Sequence, residues 1–333
     1  METQAKQLII SAIQRRQDAL NSDPAHHQSL RLCNGFTEGV PDLAIDLLGR
    51  TAVIHDYSND WANRNDLAEL LSGELDFLQA VLLKRRNGRT AEERNGILLS
   101  GSKTDDFIEE HHVRYAIDLT MNHDNSFYSD TRLLRKYLLE NMQGKHVLNT
   151  FAYTGSLGVA AAAGGAAMVL QTDLSEKFLK TAYRSASLNG LTFTRKNFRY
   201  GDFFPTVGAL RKAQSKFDCV IVDPPFFSRT AKGVIDLANN PLNVINKLRP
   251  LAADNGIMIV VNNALYLSGK DFLRHIESIC DGIYLRLEEL ISIPEDFCYT
   301  APSNSSASYY PADPAPFNHP TKIVTLRIRC KNS

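Results

Sequence analysis

Residues 146–173, HVLNTFAYTGSLGVAAAAGGAAMVLQTD, constrain this chain more than any other stretch. An apolar run containing Val147, Leu148 and Phe151 reads as a buried strand that breaks at Tyr153-Thr154-Gly155. Small residues then predict a helix over 157–163, Gly164-Gly165 a turn, and the chain re-enters a strand that ends on Asp173. This is one βαβ unit of a doubly wound sheet, in which ligands sit outside the carboxyl ends of the strands. Gly155 would let the backbone approach a ligand closely. A carboxylate ending the second strand accepts hydrogen bonds from ribose hydroxyls, so the local reading is a site for an adenosine-bearing cofactor.

The rest of the carboxyl-terminal half continues that alternation. Helices are predicted over 175–189, 234–238, 241–248 and 269–279, and strands over 198–200, 219–222 and 257–261, with closing strands over 284–291 and 321–329. Residues 294–320, rich in Pro, Ser, Tyr and Ala, read as a long loop of the kind that serves as a lid. Before the βαβ unit, an amphipathic helix is expected over 133–140, capped by Ser129 or Asp130. Arg132 falls in its first turn, against the helix dipole, and is either a surface arginine or one that reaches for an anion.

The amino-terminal third has a different texture. Leu8, Ile9, Ala12, Ile13 and Leu20 predict a packing helix over 3–20. Short strands are expected around 31–32, 43–47, 52–55 and 80–83, with a helix over 61–78. Lys84-Arg85-Arg86-Asn87-Gly88-Arg89 is the densest basic cluster, open to reading as a solvated loop or as a phosphate-contacting one. Strict alternation from Val113 to Leu119 marks the second arm of a hairpin. The expected organisation is therefore a helix at 1–27, a small α/β domain with hairpin at 28–121, and a larger α/β domain at 122–333.

Composition excludes several classes. At 333 residues, 44% hydrophobic, the chain suits about two domains. Thirty-seven basic and 37 acidic residues cancel, so the net field announces no polyanion. Five cysteines without a CxxC pattern indicate neither a disulfide framework nor a metal site, and point to a reducing, cytoplasmic setting. No apolar run reaches the ~18 residues of a membrane span.

Three carboxylates, Asp173, Asp202 and Asp223, end strands expected to be parallel. Singly each could be a helix cap; together, beside a glycine turn, they read as ligand acceptors, Asp173 for ribose and Asp202 for an adenine amino group. Only Gly155 and Gly158 stand where a dinucleotide fingerprint needs three glycines, and no P-loop occurs. Asp223-Pro224-Pro225-Phe226 is the sharpest short motif. Its prolines fix φ and donate nothing, so the carboxylate and carbonyls can face a cleft while the ring stacks on a planar base, as base-modifying enzymes require; a proline turn followed by a core phenylalanine is the plainer alternative.

Taken in order, Phe127-Tyr-Ser-Asp-Thr-Arg132, Val147-Leu-Asn-Thr-Phe-Ala-Tyr-Thr-Gly155, Asp173-Leu-Ser175, Leu188-Asn-Gly-Leu191, Asp223-Pro-Pro-Phe-Phe-Ser-Arg229 and Asn262-Asn263 resemble class I S-adenosylmethionine-dependent methyltransferases. The closest resemblance is to the family that modifies cytosine C5 or guanine N7 of large-subunit ribosomal RNA. It implies a Rossmann-like, seven-stranded methyltransferase sheet with one antiparallel strand, preceded by a small α/β domain and hairpin that present RNA. It further implies S-adenosyl-L-methionine held by Phe127, Tyr128, Asp130 and Arg132, by Asn149, Phe151, Ala152, Tyr153, Thr154 and Gly155, by Asp173, Leu174 and Ser175, and by Asp202, Phe203 and Asp223. Asp223, Pro224, Pro225 and Phe226 would carry catalysis, and Phe226, Phe227, Asn262, Asn263, Arg85 and Arg86 would meet the RNA.

Two departures shape the expectation. Cytosine C5 methylation needs a thiolate that adds to C6, and family members carry it after the fifth strand, where this chain has Asn262-Asn263-Ala264. Neither Cys219, expected inside a strand, nor Cys298, in the long loop, suits that role. The separate amino-terminal RNA-binding domain of some members is replaced by a single helix. The expectation is an RNA base methyltransferase acting on a nitrogen such as guanine N7 in large-subunit (23S) ribosomal RNA. The alternatives are a catalytically weak RNA-binding ribosome-assembly protein and a small-molecule or protein methyltransferase. Oligomeric state stays open, a homodimer included.

Overall fold

The computed structural model describes residues 3–58, 64–237, 239–240, 242–298 and 312–330. The chain divides into two compact units, Met1–Ser129 with Pro294–Tyr309, and Asp130–Ile293 with Tyr310–Ser333.

The first unit opens with α1 (Thr3–Gln14) and α2 (Gln17–Asn21), followed by β1 (Ser29–Cys33), β2 (Leu43–Leu48), β3 (Thr51–Asp56), α3 (Asn65–Glu74), β4 (Ala80–Arg85), α4 (Ala91–Asn95), β5 (Ile97–Gly101) and the hairpin β6 (Phe107–Glu110) and β7 (Val113–Ala116). Strands β1 to β5 form a sheet in sequence order, antiparallel except where the α3 crossover makes β3 and β4 parallel. Ile9, Ala12 and Ile13 of α1 join the core made by Leu32, Ile45, Ile54, Leu71 and Val81. The first 27 residues are therefore part of this unit and not a separate piece. The expected single helix is broken because the Arg16 guanidinium turns inward to the Ala12 carbonyl and to Glu38 Oε1, at 2.9 and 2.8 Å.

The domain boundary falls later than position 121. Lys84 Nζ donates to the backbone carbonyls of Asn122, at 2.9 Å, and Asp124, and Asn125 Nδ2 donates to Asp46 Oδ2 at 2.8 Å, which fastens the segment through Ser129 to the first unit. Strand β4 also runs two residues beyond the expected end, so Lys84 and Arg85 are strand residues. A capping box at Thr90 and Glu93 starts α4; neither α4 nor β5 is visible as a periodic pattern. The helix expected over 61–78 begins in part outside the described residues.

The second unit runs α5 (Arg132–Asn141), β8 (His146–Thr150), α6 (Ser156–Ala163), β9 (Met168–Asp173), α7 (Glu176–Leu188), β10 (Phe198–Tyr200), α8 (Phe203–Lys212), β11 (Phe217–Val222), β12 (Phe227–Thr230), β13 (Gly233–Asp236), α9 (Leu242–Leu248), β14 (Ala252–Asn262), α10 (Gly269–Ile279) and β15 (Leu285–Ile291). After α11 (Glu295–Cys298), which belongs to the first unit, β16 (Lys322–Ile328) closes the sheet. The strand order is β10-β9-β8-β11-β14-β16-β15, with β16 antiparallel to both neighbours and the first five strands parallel. This is the seven-stranded sheet with one antiparallel strand. Its central strands are buried on both faces, as parallel strands covered by helices must be, and Leu148, Val220, Val222, Met258 and Val260 form its core with Val207, Leu248, Phe272 and Leu326.

Two expectations give way here. Residues 234–236 are a strand, not a helix: β13 pairs with β12 across a turn at Ala231-Lys232, and Val234 exposed beside Ile235 buried is the two-residue period of a hairpin. The N-cap of α5 is Thr131, without a side-chain capping bond, because its Oγ1 accepts from Arg135 Nη1 at 2.8 Å while Asp130 accepts from Thr321. The expected lid lies partly outside the described residues, at 299–311.

Candidate active site

The carboxyl edge of the second unit's sheet collects the motifs. Strand β8 ends at Thr150, whose Oγ1 donates to the Ile221 carbonyl of β11 at 2.7 Å. Beyond it Phe151, Tyr153 and Gly155 take φ of 56°, 51° and 78°. Two bulky residues in the left-handed region within a single turn are held there only by their surroundings. The Ala152 amide donates to the Thr172 carbonyl at 2.9 Å and the Tyr153 amide to Asp173 Oδ2 at 2.8 Å. The Ser175 amide donates to Asp173 Oδ1 at 2.8 Å. Asp173 thus fixes the Tyr153 and Ser175 amides, one on each oxygen. Burial pushes this carboxyl up, against the three backbone amides that favour the charged form.

Two residues of the glycine turn also pack inward. A Cβ on Gly155 would lie 2.3 Å from Ala182 Cβ and 2.6 Å from Gln171 Oε1, so the absence of a side chain makes room for α7 and β9 behind the turn. Asn149 is buried with Nδ2 on Gln171 Oε1 at 3.2 Å, and it supports the turn from beneath. Ala152 and Thr154 are buried, Leu174 is exposed and Ser175 stands at the N-cap position of α7 without a side-chain capping bond. Phe151 stacks on Phe203, centroids 4.6 Å apart, and Tyr153 meets Phe178 edge-on.

Asp202 caps α8 through the Phe204 amide at 2.9 Å, so the plain capping role is real and engages one of its oxygens. Asp223 follows β11 directly; Pro224 is buried, whereas Pro225, Phe226 and Phe227 are exposed. Burial, with the Asp130 charge nearby, pushes the Asp223 carboxyl up to about 7. Asn262 ends β14, buried, with Oδ1 on the Ala264 amide at 2.9 Å and Nδ2 without a partner among the described residues, and Asn263 is exposed. Lys322 holds this turn from β16, its Nζ donating to the carbonyls of Ala264 and Pro320 at 2.8 and 2.5 Å. Sequence reasoning missed Lys322, and only its place opposite Asn262 in the antiparallel ladder reveals it.

Arg132 is partly buried in the first turn of α5. Phe127 and Tyr128 belong to the first unit, Phe127 packed on Tyr115 and Tyr128 Oη donating to Asp124 at 3.0 Å. Arg85 pairs with Glu93 at 2.6 Å and Arg86 with Asp124 at 3.1 Å. The cations expected to meet phosphate are therefore neutralised at home.

A carboxyl edge rich in acceptors, with an incomplete glycine fingerprint and a half-buried Asp-Pro-Pro-Phe, suits an adenosine ligand that carries positive charge. S-adenosylmethionine fits this set: its hydroxyls donate, its sulfonium suits carboxylates, and Asn262 Nδ2 is a buried donor still without an acceptor. Residues 79–308 match the family model of the S-adenosylmethionine-dependent methyltransferases, and the chain belongs to that family. It is a methyltransferase with S-adenosylmethionine as its cofactor.

Among its relatives, the chain is 29% identical to the "Putative ribosomal RNA large subunit methyltransferase YwbD" of Bacillus subtilis, covering 81% of this chain and 70% of that one. It is 30% identical to ribosomal RNA large subunit methyltransferase K of Neisseria meningitidis (76% and 73%), and 29% to methyltransferase I of Aeromonas hydrophila (69% and 59%). It spans only 32% of the K/L protein of Pseudoalteromonas translucida. A solved structure titled "a putative methyltransferase complexed with SAH" superposes with a TM-score of 0.82 at 22% identity, over 97% of this chain and 82% of that one. No helix among the described residues is long and apolar enough to cross a membrane.

Proposed function

We propose that this methyltransferase modifies a base nitrogen, such as guanine N7, in large-subunit ribosomal RNA. The relatives' names support the RNA, and the placement of the cysteines supports the nitrogen. Addition to a pyrimidine C6 needs a thiolate at the carboxyl edge. Cys219 is fully buried within β11 and its thiol is pushed up to about 12 by burial. Cys280 and Cys330 follow α10 and β16, which both run back to the opposite edge, Cys33 is buried in β1 with its thiol pushed up to about 11 by that burial, and Cys298 ends α11 and belongs to no strand of this sheet. A ring nitrogen needs no such help, because its lone pair is already nucleophilic.

In this reading Asp173 holds the cofactor ribose, Phe151, Tyr153, Asp202 and Phe203 line the nucleoside, and Asp130, Arg132 and Asp223 stand at its charged end. When bound, the cofactor supplies an electrophilic methyl group. The protein's part is alignment: Phe226 and Phe227 give the base a flat apolar support, Pro224 and Pro225 keep that support rigid, and Asn262 and Asn263 offer amides to the base edge. Arg85 and Arg86 are left out, since both are paired internally.

The test is to incubate the protein with labelled cofactor and ribosomal RNA, digest to nucleosides and identify the labelled one. Label in 7-methylguanosine is expected. Label confined to 5-methylcytosine would refute the nitrogen reading, and no transfer to any RNA would refute both.

A further inference from the structure

Away from the carboxyl edge, the second unit has a basic pocket that the methyl-transfer chemistry does not use. Its cavity, of about 440 Å³, is floored by Leu170 of β9 and Phe217 of β11 and edged by Arg195, Lys196, Arg199 and Lys216. All four cations are exposed, and among the described residues none has a carboxylate at salt-bridge distance. Lys216 Nζ donates to the Pro250 carbonyl at 2.9 Å, which anchors the side chain without neutralising it. Residues 194–217 hold six Lys and Arg against one acid, Asp202, and that acid caps α8. In a chain with net charge zero this is a local segregation of charge and not a reflection of the whole.

The sheet gives the pocket a direction. In the β10–β9 ladder Arg199 lies opposite Thr172 and Tyr200 opposite Asp173. The pocket therefore begins near Met168, at the amino end of β9, and climbs toward the carboxyl edge, roughly 17 Å away at a strand's rise per residue. Tyr200, one residue nearer that edge, is 67% exposed but turns to the other face of the sheet, so the pocket is lined by cations and not by its ring. A row of cations without internal counter-charges that leads toward the carboxyl edge suits the phosphate backbone of a strand whose base enters that edge. An acidic peptide would use the same cations, which makes it the competing outcome of the test.

We propose that this β10 edge is a second RNA contact, at which Arg195, Lys196 and Arg199 hold backbone phosphates of the strand whose base enters the carboxyl-edge site. It rests on the RNA reading above. Each phosphate contact adds about 0.7 to 0.9 to the slope of log affinity against log salt. The experiment measures binding of a labelled large-subunit ribosomal RNA fragment by anisotropy at several salt concentrations, for the wild type and for K196A/R199A. The double variant is expected to bind about tenfold more weakly near physiological salt, with a slope smaller by about 1.5. Its melting temperature and its affinity for S-adenosylmethionine should match the wild type.

A wild type that binds no RNA at low salt would overturn both the RNA reading and this one. Wild-type binding that the double variant reproduces in affinity and slope would overturn this one alone. Inorganic phosphate at millimolar concentration, followed through the amide signals of Lys196 and Arg199, separates a small-anion site from an RNA track. Phosphate binding there with RNA affinity untouched by the substitutions overturns the proposal. So does poly-glutamate of matched charge binding as tightly as the RNA and weakening equally in the variant.

Discussion

Lys84, Arg85 and Arg86 in the first unit and Arg195, Lys196 and Arg199 in the second are both three-cation clusters within a few residues, but the fold treats them in opposite ways. Lys84 is fully buried on two carbonyls, and Arg85 and Arg86 each meet a carboxylate. The second set is exposed and without a carboxylate among the described residues. The carboxylates divide the same way. Asp46, in the first unit, is buried and would be raised by that burial, but Arg31, His55 and Asn125 converge on it and hold it well below the usual range. Asp223, in the second, has only the like charge of Asp130 to add to its burial, and is pushed up. Charge density along the chain thus says little about availability. In the first unit these charges hold its own segments together, whereas the Arg195–Arg199 cluster and Asp223 of the second have no opposite charge to meet within the described residues.

That contrast breaks most visibly at Lys84. Truncating it should leave two carbonyls without a donor and a void where a long side chain lay, a loss of about 3 to 5 kcal/mol in stability, read by denaturant unfolding of K84A. The pH dependence follows from the sign of its shift. Burial and the Arg86 charge pull the amine down to about 7 from 10.5. Between those values the unfolded chain holds more protons than the folded one, so stability should rise with pH through that window. A flat profile in the wild type would mean that the amine stays protonated.

Asp173 should come next. Removing it in D173A frees the Tyr153 and Ser175 amides and deletes the acceptor proposed for the ribose, and calorimetry should show cofactor binding weaker by about 1 to 3 kcal/mol. Unchanged affinity would place the ribose elsewhere and leave Asp173 a purely internal strut, like Asp46.

Much of this was legible beforehand. The βαβ unit and the strand-end carboxylates follow from apolar runs and turns, signals that depend on near neighbours in sequence, and the seven-stranded sheet follows from the resemblance to the methyltransferase family. What stayed hidden depends on distant partners. That Gly155 has no room for a side chain is decided by Ala182, on a helix some thirty residues on, and the seclusion of Arg85 and Arg86 by Glu93 and Asp124. The hairpin at 227–236 reads in sequence partly as a helix, because four-residue strands give too little periodicity to outweigh a short apolar run. Lys322 is one lysine among many until the β14–β16 register sets it against Asn262.

A smaller effect is expected from Asp223, in the direction opposite to Lys84. Its carboxyl is pushed up from 3.8 to about 7, so the folded state holds the proton more tightly and stability should fall as pH rises through that interval. A cationic cofactor favours the ionised form. Affinity for S-adenosylmethionine should therefore increase as pH rises from 6 to 8, by up to about tenfold. The demethylated product lacks the sulfonium charge and should show much less of this dependence, and D223N should remove it. Equal slopes for both ligands would detach Asp223 from the charged end of the site.

The smallest effect falls on Arg85, where a null result carries the meaning. If the first cluster is spent internally, R85Q should leave RNA affinity within about twofold of wild type and the salt slope unchanged, because no phosphate contact is lost. Its pair with Glu93 of α4 is partly buried, but glutamine can still donate to that carboxylate and α4 retains its capping box at Thr90, so the fold should tolerate the change. A drop in slope near one would show that Arg85 leaves Glu93 for phosphate when RNA arrives. In that case the two clusters would differ only in the absence of RNA, the first being a guarded contact and the second an open one.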